Sequence, residues 1–154
     1  MDRTVGVRSR ATIAGHPIHP MLIPFPIAFL VGAFLADLVF WRSGDLFWAR
    51  AAAWLVGAGL ASAGLAAVFG LVDFLLIKRV QAIGSAWRHL VLNLIIVALT
   101  IWNLLTRLES AAAQIVWTGL ALSTIVVLLM LASGWYGGEL AYRHKIGAID
   151  GDKE

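Results

Sequence analysis

The apolar residues of the 154-residue chain are concentrated in four long blocks that carry almost no charge. The blocks run from about Met21 to Phe40, Ala51 to Ile77, Trp87 to Leu105 and Ile115 to Trp135. About 20 helical residues, at about 1.5 Å each, cross the roughly 30 Å of hydrocarbon in a bilayer. Because a backbone in lipid must satisfy its own hydrogen bonds, each block is predicted to be helical. The pattern predicts an all-α integral membrane bundle of four transmembrane helices over 21–140, with a head at 1–20 and a tail at 141–154.

The amino-acid composition indicates a membrane protein and excludes several kinds of catalytic and cofactor site. The chain is 60% hydrophobic and 14% charged, whereas a soluble domain is about half apolar and a quarter charged. Outside the four blocks too little chain remains for a separate catalytic domain of about 50 residues or more. The absence of cysteine excludes thiolate nucleophiles, iron–sulfur clusters and covalent c-type haem. No nucleophile elbow, catalytic triad or phosphate loop is recognised, so the sequence leaves open whether the protein is an enzyme.

The basic residues predict the orientation. Of the 12 Lys and Arg, all but Arg42, Arg50 and Arg107 fall in the head, in the tail, or between the end of the second block and the first turn of the third. By the positive-inside rule both termini are predicted to lie in the cytoplasm. The high isoelectric point, near 9.8, is then explained by the basic residues that set the membrane orientation, and not by binding to nucleic acid. The lipid bilayer is the expected partner, and nucleic acid is not.

Titratable residues from every predicted helix fall at this cytoplasmic side. They are His16 and His19 before the first span, Asp73 near the end of the second, His89 at the start of the third, and Glu139 and His144 at the end of the fourth. Ionisable groups in or near a membrane tend to mark function unless they are paired. The layer is therefore the predicted site.

The histidines of the head lie in the run Gly15-His16-Pro17-Ile18-His19-Pro20. A polyproline II conformation repeats every three residues at about 3.1 Å each, which predicts that His16 and His19 share one face about 9 Å apart. Both imidazoles could then point at the bundle. The alternative is that they are interfacial histidines near lipid headgroups.

His89 is predicted to be the centre of the site, because it is the histidine inside a predicted span. Asn93 lies four residues later on the same helix face, and Asp73 is expected to orient the His89 imidazole through its carboxylate. The alternative is a hydrogen bond that only fastens two helices. Glu139 and Arg143 have the spacing of an ordinary helix ion pair.

Two further expectations concern packing. The second span is predicted to be central in the bundle, because small residues let helices approach closely in lipid; its glycines are Gly57, Gly59, Gly64 and Gly70. Asp37 is expected to pair with Arg42 or Arg50 near the outer end of the first span. No convincing internal repeat is recognised.

The sequence resembles a family of bacterial membrane proteins, domain of unknown function 2231. The similarity lies in the His-Pro-Ile-His-Pro run with Phe25-Pro26, Asp73, His89 with Asn93, and Gly137-Gly138 before Tyr142 and His144. It covers about residues 11–149. The resemblance implies four spans, a location in a bacterial inner (plasma) membrane and no established activity. Relatives occur beside or fused to Rieske, cytochrome c or dehydrogenase modules, which implies a redox neighbourhood and, for this chain, a separate electron partner.

These observations leave three interpretations of function. In the first, haem b is ligated by two histidines from different helices, His89 with His16, His19 or His144, as bundle cores commonly bind cofactors. In the second, His16, His19, His89 and Asp73 bind a transition metal. In the third, the chain is an accessory or structural subunit that docks on a larger membrane complex.

We favour the interpretation that combines the first two. The chain is expected to be a redox-associated membrane protein, an electron-transfer or membrane-anchor subunit, with a haem or metal site at the cytoplasmic face and another membrane or redox protein as partner. Asn93 and Glu139 are expected to support the ligands. The accessory subunit without a cofactor is the alternative.

Overall fold

The computed structural model describes residues 6–109 and 115–147, and it confirms the all-α fold. The elements in chain order are β1 (Thr12–Ile13), β2 (His16–Pro17), α1 (Ile18–Leu22), α2 (Pro24–Ser43), α3 (Leu46–Leu76), α4 (Lys78–Gln81), α5 (Gly84–Glu109) and α6 (Leu120–Gly138). One π-helical turn precedes α6 (Ile115–Gly119) and one follows it (Glu139–Arg143). Four helices are long and apolar enough to cross a membrane: Ile18–Ser43, Leu46–Leu76, Gly84–Leu108 and Trp117–Arg143. We call these the first to fourth spans.

The spans pack as a ring of antiparallel neighbours. The α2 helix contacts α3 and α6, and α5 also contacts α3 and α6, so that the first and third spans lie on one diagonal. A narrow apolar core fills the middle, formed by Leu30, Ile96 and Val126. Most other large apolar side chains are exposed on the outside of the bundle. A helix that is apolar on all sides is typical of a membrane span.

The second span is not central, contrary to the prediction. The first and fourth spans bury a larger share of their residues than the second and third do. A Cβ added to Gly57 or Gly64 would have no other atom within 4 Å, whereas a Cβ added to Gly59 would lie 2.6 Å from the Leu30 side chain. Close approach is thus confined to one face of this span, on which Ala66 is also buried.

Glycine and aspartate make the tight turn between the first two spans. Gly44 adopts a left-handed conformation (φ 70°) and donates its N–H to the Phe40 carbonyl at 2.8 Å. Asp45 then caps α3 by accepting a hydrogen bond from the Phe47 N–H at 2.9 Å. Both residues satisfy helix-end groups that have no partner within the helix. We call this end of the bundle the far end.

The opposite end, which we call the terminal end, is closed by the head. Val7 donates its N–H to the Lys145 carbonyl at 3.0 Å and accepts from the Gly147 N–H at 2.7 Å. Beneath this bridge Ile77 and Val80 form a small apolar cluster with residues of the head and tail. The head, the loop between the second and third spans, and the tail therefore form one layer, the terminal cap.

The entry segment is not an extended polyproline run. The β1 and β2 strands pair across a turn at Ala14 and Gly15, both of which have positive φ, and helix α1 begins at Ile18. His16 therefore lies in a short hairpin while His19 lies in the first turn of a helix. The prediction that both share one face is wrong, because the chain reverses before His16 and becomes helical directly after Pro17.

Candidate functional site

Two histidines from diagonal spans meet at the terminal end. His19 comes from α1 and His89 from the first half of α5, and their ring centroids lie 6.3 Å apart with the planes nearly perpendicular, at 85°. Both side chains are half-buried. Of the four histidines in the chain, these are the two that the fold brings together in ring contact.

Each imidazole is held by a backbone carbonyl of a neighbouring span. The Nδ1 of His19 lies 2.7 Å from the Ala66 carbonyl oxygen on α3, and the Nδ1 of His89 lies 2.9 Å from the Ser133 carbonyl oxygen on α6. Since a carbonyl oxygen only accepts, these bonds assign the proton to Nδ1 in both rings. In the neutral imidazole, Nε2 then carries a lone pair and can accept a proton or bind a metal. Backbone carbonyls orient metal-binding histidines in this way in many proteins.

A glycine one turn beyond each carbonyl makes room for the ring. A Cβ added to Gly70 would lie 2.8 Å from Cε1 and Nδ1 of His19, and one added to Gly137 would lie 3.1 Å from Cε1 of His89. Gly70 follows Ala66 by four residues, and Gly137 follows Ser133 by four, so each carbonyl and its glycine share a helix face. The second and fourth spans therefore contact the two histidines in the same way, through a backbone carbonyl and a glycine one turn later.

Asn93 supports the His89 side of the pair. Its Nδ2 donates to the His89 carbonyl and to the Ser133 hydroxyl, both at 2.7 Å. The Ser133 hydroxyl lies 3.1 Å from the Nδ1 of His89. Asn93 therefore fixes the serine beside the imidazole, and the four-residue spacing from His89 places it there.

Asp73 does not orient His89, contrary to the prediction. Its carboxylate accepts from the Ser9 hydroxyl at 2.6 Å, the Arg10 N–H at 2.7 Å and the Ala11 N–H at 3.1 Å. The head folds back over the end of the second span and supplies these donors. Asp73 thus anchors the terminal cap.

The other candidate residues lie in different surroundings. His16 is exposed and its Nδ1 lies 3.0 Å from the Ala14 carbonyl. His144 ends the π-helical turn and donates its N–H to the Glu139 carbonyl at 3.1 Å. The predicted Glu139–Arg143 ion pair is confirmed at 3.0 Å, and Glu139 also accepts from the Ser85 hydroxyl at 2.5 Å. The hydrogen bonds of the Glu139 carboxylate thus go to Ser85 and Arg143, and none of them goes to His19 or His89.

A three-residue metal site is not found among residues 6–109 and 115–147. No group of three or more His, Cys, Asp or Glu side chains in this part of the chain could hold an ion. The predicted set of His16, His19, His89 and Asp73 is therefore reduced to two histidines, because Asp73 binds the head and His16 turns outward.

A second polar constellation is buried at the far end. Arg107 from the third span binds both carboxylate oxygens of Asp37 from the first, at 2.8 and 2.6 Å. Their side chains are 0% and 2% exposed. Asn103 Oδ1 accepts from Arg107 Nε at 2.8 Å, and the Ser123 hydroxyl donates to Asp37 at 2.7 Å. The expected pairing of Asp37 with Arg42 or Arg50 is wrong, since the carboxylate points into the bundle rather than along the nearby turn.

The two constellations reveal a repeat that inspection of the sequence misses. Asp37 and Arg107 are 70 residues apart, and so are His19 and His89. Within each of the two diagonal spans, 18 residues separate the histidine from the charged residue. At about 3.6 residues per turn that is five full turns, so both groups lie on one helix face. The first and third spans therefore share the spacing of these polar residues.

Comparison with known proteins assigns the family. A family described as a predicted membrane protein (DUF2231) matches residues 15–150. The chain belongs to the DUF2231 family. No curated protein and no solved structure matches it. The DUF2231 match includes all four spans, both histidines of the pair, their glycines and the Asp37–Arg107 pair. The head residues that bind Asp73 precede the matched range.

Proposed function

We propose that this DUF2231 protein is a redox-associated membrane protein in which His19 and His89 are the two protein ligands of a haem b iron. It lies in the bacterial inner membrane with both termini cytoplasmic, which the distribution of Lys and Arg supports. In this orientation the histidine pair lies at the cytoplasmic side. The observation that carries the proposal is the pair itself, with each Nδ1 bound to a carbonyl and each Nε2 left to accept.

The spacing of the rings supports a metal between them. Two metal–imidazole bonds of about 2.0–2.1 Å each place the two nitrogens about 4 Å apart, and one ring radius at each end gives a centroid separation of about 6 Å. The observed separation is 6.3 Å.

The number of ligands favours haem over a bare ion. Structural zinc takes four protein ligands and catalytic zinc takes three, whereas the described residues bring only two imidazoles together. In haem the macrocycle supplies the other four nitrogens, and the protein supplies only the axial ligands. A transition metal ion completed by water or by a partner protein is the second form of the same proposal.

The accessory-subunit interpretation is the second candidate. The Asp37–Arg107 pair at the far end is fully satisfied within the bundle, which shows that this fold uses polar groups to fasten its diagonal spans. The histidine pair could serve the same purpose at the terminal end. In that case the partner is a larger membrane complex, and no cofactor is bound.

A visible spectrum and a metal analysis of the purified protein separate these candidates. We expect a Soret band that shifts on reduction. Stoichiometric metal without that band selects the bare ion, and the absence of both selects the accessory subunit. His19→Ala and His89→Ala should each abolish the band, whereas the matched controls His16→Ala and His144→Ala should keep it. Retention of the band in His89→Ala and its loss in His144→Ala would reject the assigned ligands.

A further inference from the structure

A cleft of about 450 Å³ lies between the head and the end of the second span. Residues 6–10 form one wall, and Leu76, Ile77 and Lys78 form the other. Three cationic residues line it, Arg8, Arg10 and Lys78, and all three are exposed. None of the cleft's lining residues in the described part of the chain is acidic.

The cations of the cleft have no carboxylate partner in the described part of the chain. The ion pairs found there are Asp37–Arg107 and Glu139–Arg143, which lie elsewhere. Three positive charges around one cleft repel each other and attract an anion. Phosphate oxygens form charge-assisted hydrogen bonds with Arg and Lys, which are about twice as strong as neutral ones.

The wall that carries the charges is fixed in place. Asp73 accepts hydrogen bonds from the backbone N–H groups of Arg10 and Ala11, and Val7 is bridged to the tail on the other side of Arg8. These contacts hold both arginine backbones beside Lys78. The backbone of this wall is therefore part of the fold, and the Asp73 carboxylate bound to it reduces the net charge beside the cleft to about +2.

The position of the cleft distinguishes a lipid from a soluble anion. Leu75 and Leu76, at the end of the second span, are 59% and 62% exposed, so that an apolar surface leads from the bilayer directly to Lys78. We propose that the cleft binds an anionic phospholipid, with its phosphate on Arg8, Arg10 and Lys78 and its acyl chains along Leu75 and Leu76. Basic pockets at the ends of transmembrane helices bind anionic headgroups in this manner.

Lipid retention by the intact, purified protein tests the proposal. Native mass spectrometry would count phosphatidylglycerol and phosphatidylcholine bound after delipidation and titration. Each basic residue near a membrane surface contributes about fivefold to the affinity for anionic lipid, so Arg8→Gln/Arg10→Gln/Lys78→Gln should bind phosphatidylglycerol about a hundredfold more weakly. Arg42→Gln/Arg50→Gln, which removes charge at the far end, is the control and should bind within about twofold of the unaltered protein.

Three results would overturn the lipid site: equal affinity for phosphatidylcholine, unchanged phosphatidylglycerol binding in the triple variant, or displacement of the lipid by millimolar inorganic phosphate. The last result would assign the cleft to a soluble anion. If the triple variant does not fold, as judged by its circular dichroism, the single variant Lys78→Gln is used to test the lipid site. It is expected to weaken phosphatidylglycerol binding about fivefold, while Lys78→Arg retains it.

Discussion

Removal of the Asp37 charge should strongly destabilise the protein. Asp37→Asn leaves Arg107 ionised at 0% exposure and weakens the two bonds that its guanidinium makes at 2.8 and 2.6 Å. Breaking one partner of a buried ion pair typically costs about 3–5 kcal/mol, because an uncompensated charge stays behind. We expect a loss of about 3–5 kcal/mol in the free energy of unfolding.

The assay is reversible unfolding in mixed micelles with increasing denaturing detergent, followed by circular dichroism. Glu139→Gln is the matched control, since its partner Arg143 is 76% exposed and exposed pairs contribute little. Asp37→Leu/Arg107→Leu should be more stable than Asp37→Leu alone, because the double change leaves no buried charge. A loss below about 1 kcal/mol in Asp37→Asn, or strictly additive losses in the double variant, would refute a coupled buried pair.

Three further predictions concern the terminal end. Gly137→Ala should displace the His89 ring and change the spectrum of any bound haem, whereas Gly134→Ala, which has open space around it, should not; equal spectra would contradict the close contact. Asp73→Ala should release the head from the second span and speed proteolysis near Arg10, and an unchanged cleavage rate would show that Asp73 is not the anchor. A cysteine at Lys78 should resist a membrane-impermeant label added from the periplasm while one at Gly44 reacts, and the reverse pattern would invert the proposed orientation.

The spans were predictable because lipid imposes one rule on the whole length of each helix. Apolar blocks of about 20 residues must be helical there, and the observed helices contain nearly all of the predicted blocks. Ile77 lies one residue beyond the end of α3, and Ile115–Gly119 forms a π-helical turn. The first and last residues of each helix were harder to predict, because a helix end depends on the conformation and hydrogen bonds of one or two residues. Gly44 and Asp45 end one helix and start the next, and the first span begins at Ile18, within the His-Pro run.

The partners of the polar residues were less predictable. Asp37 was expected to find a cation nearby in sequence, but the fold supplies one 70 residues away. Asp73 was assigned to His89 because spans two and three are neighbours, and the donors that it binds belong to the head instead. Each histidine of the pair packs against a small residue and a glycine four positions later, Ala66 with Gly70 and Ser133 with Gly137. These two pairs are the sequence signal for the positions of the histidine rings. That signal is short, and its two copies are 67 residues apart whereas the two histidines are 70 apart, so no single spacing reveals it in the sequence.

The bridge between Val7 and the tail has a consequence for biosynthesis. The head is synthesised before the four spans, but its partners Lys145 and Gly147 leave the ribosome only after them. Asp73 emerges much earlier and can hold the head by its bonds to Arg10 and Ala11. At about 5–20 residues per second, the interval between Asp73 and the tail is roughly 4–14 s. The terminal cap is therefore completed in two stages, and a chain stalled before the fourth span would carry a head docked on one side only.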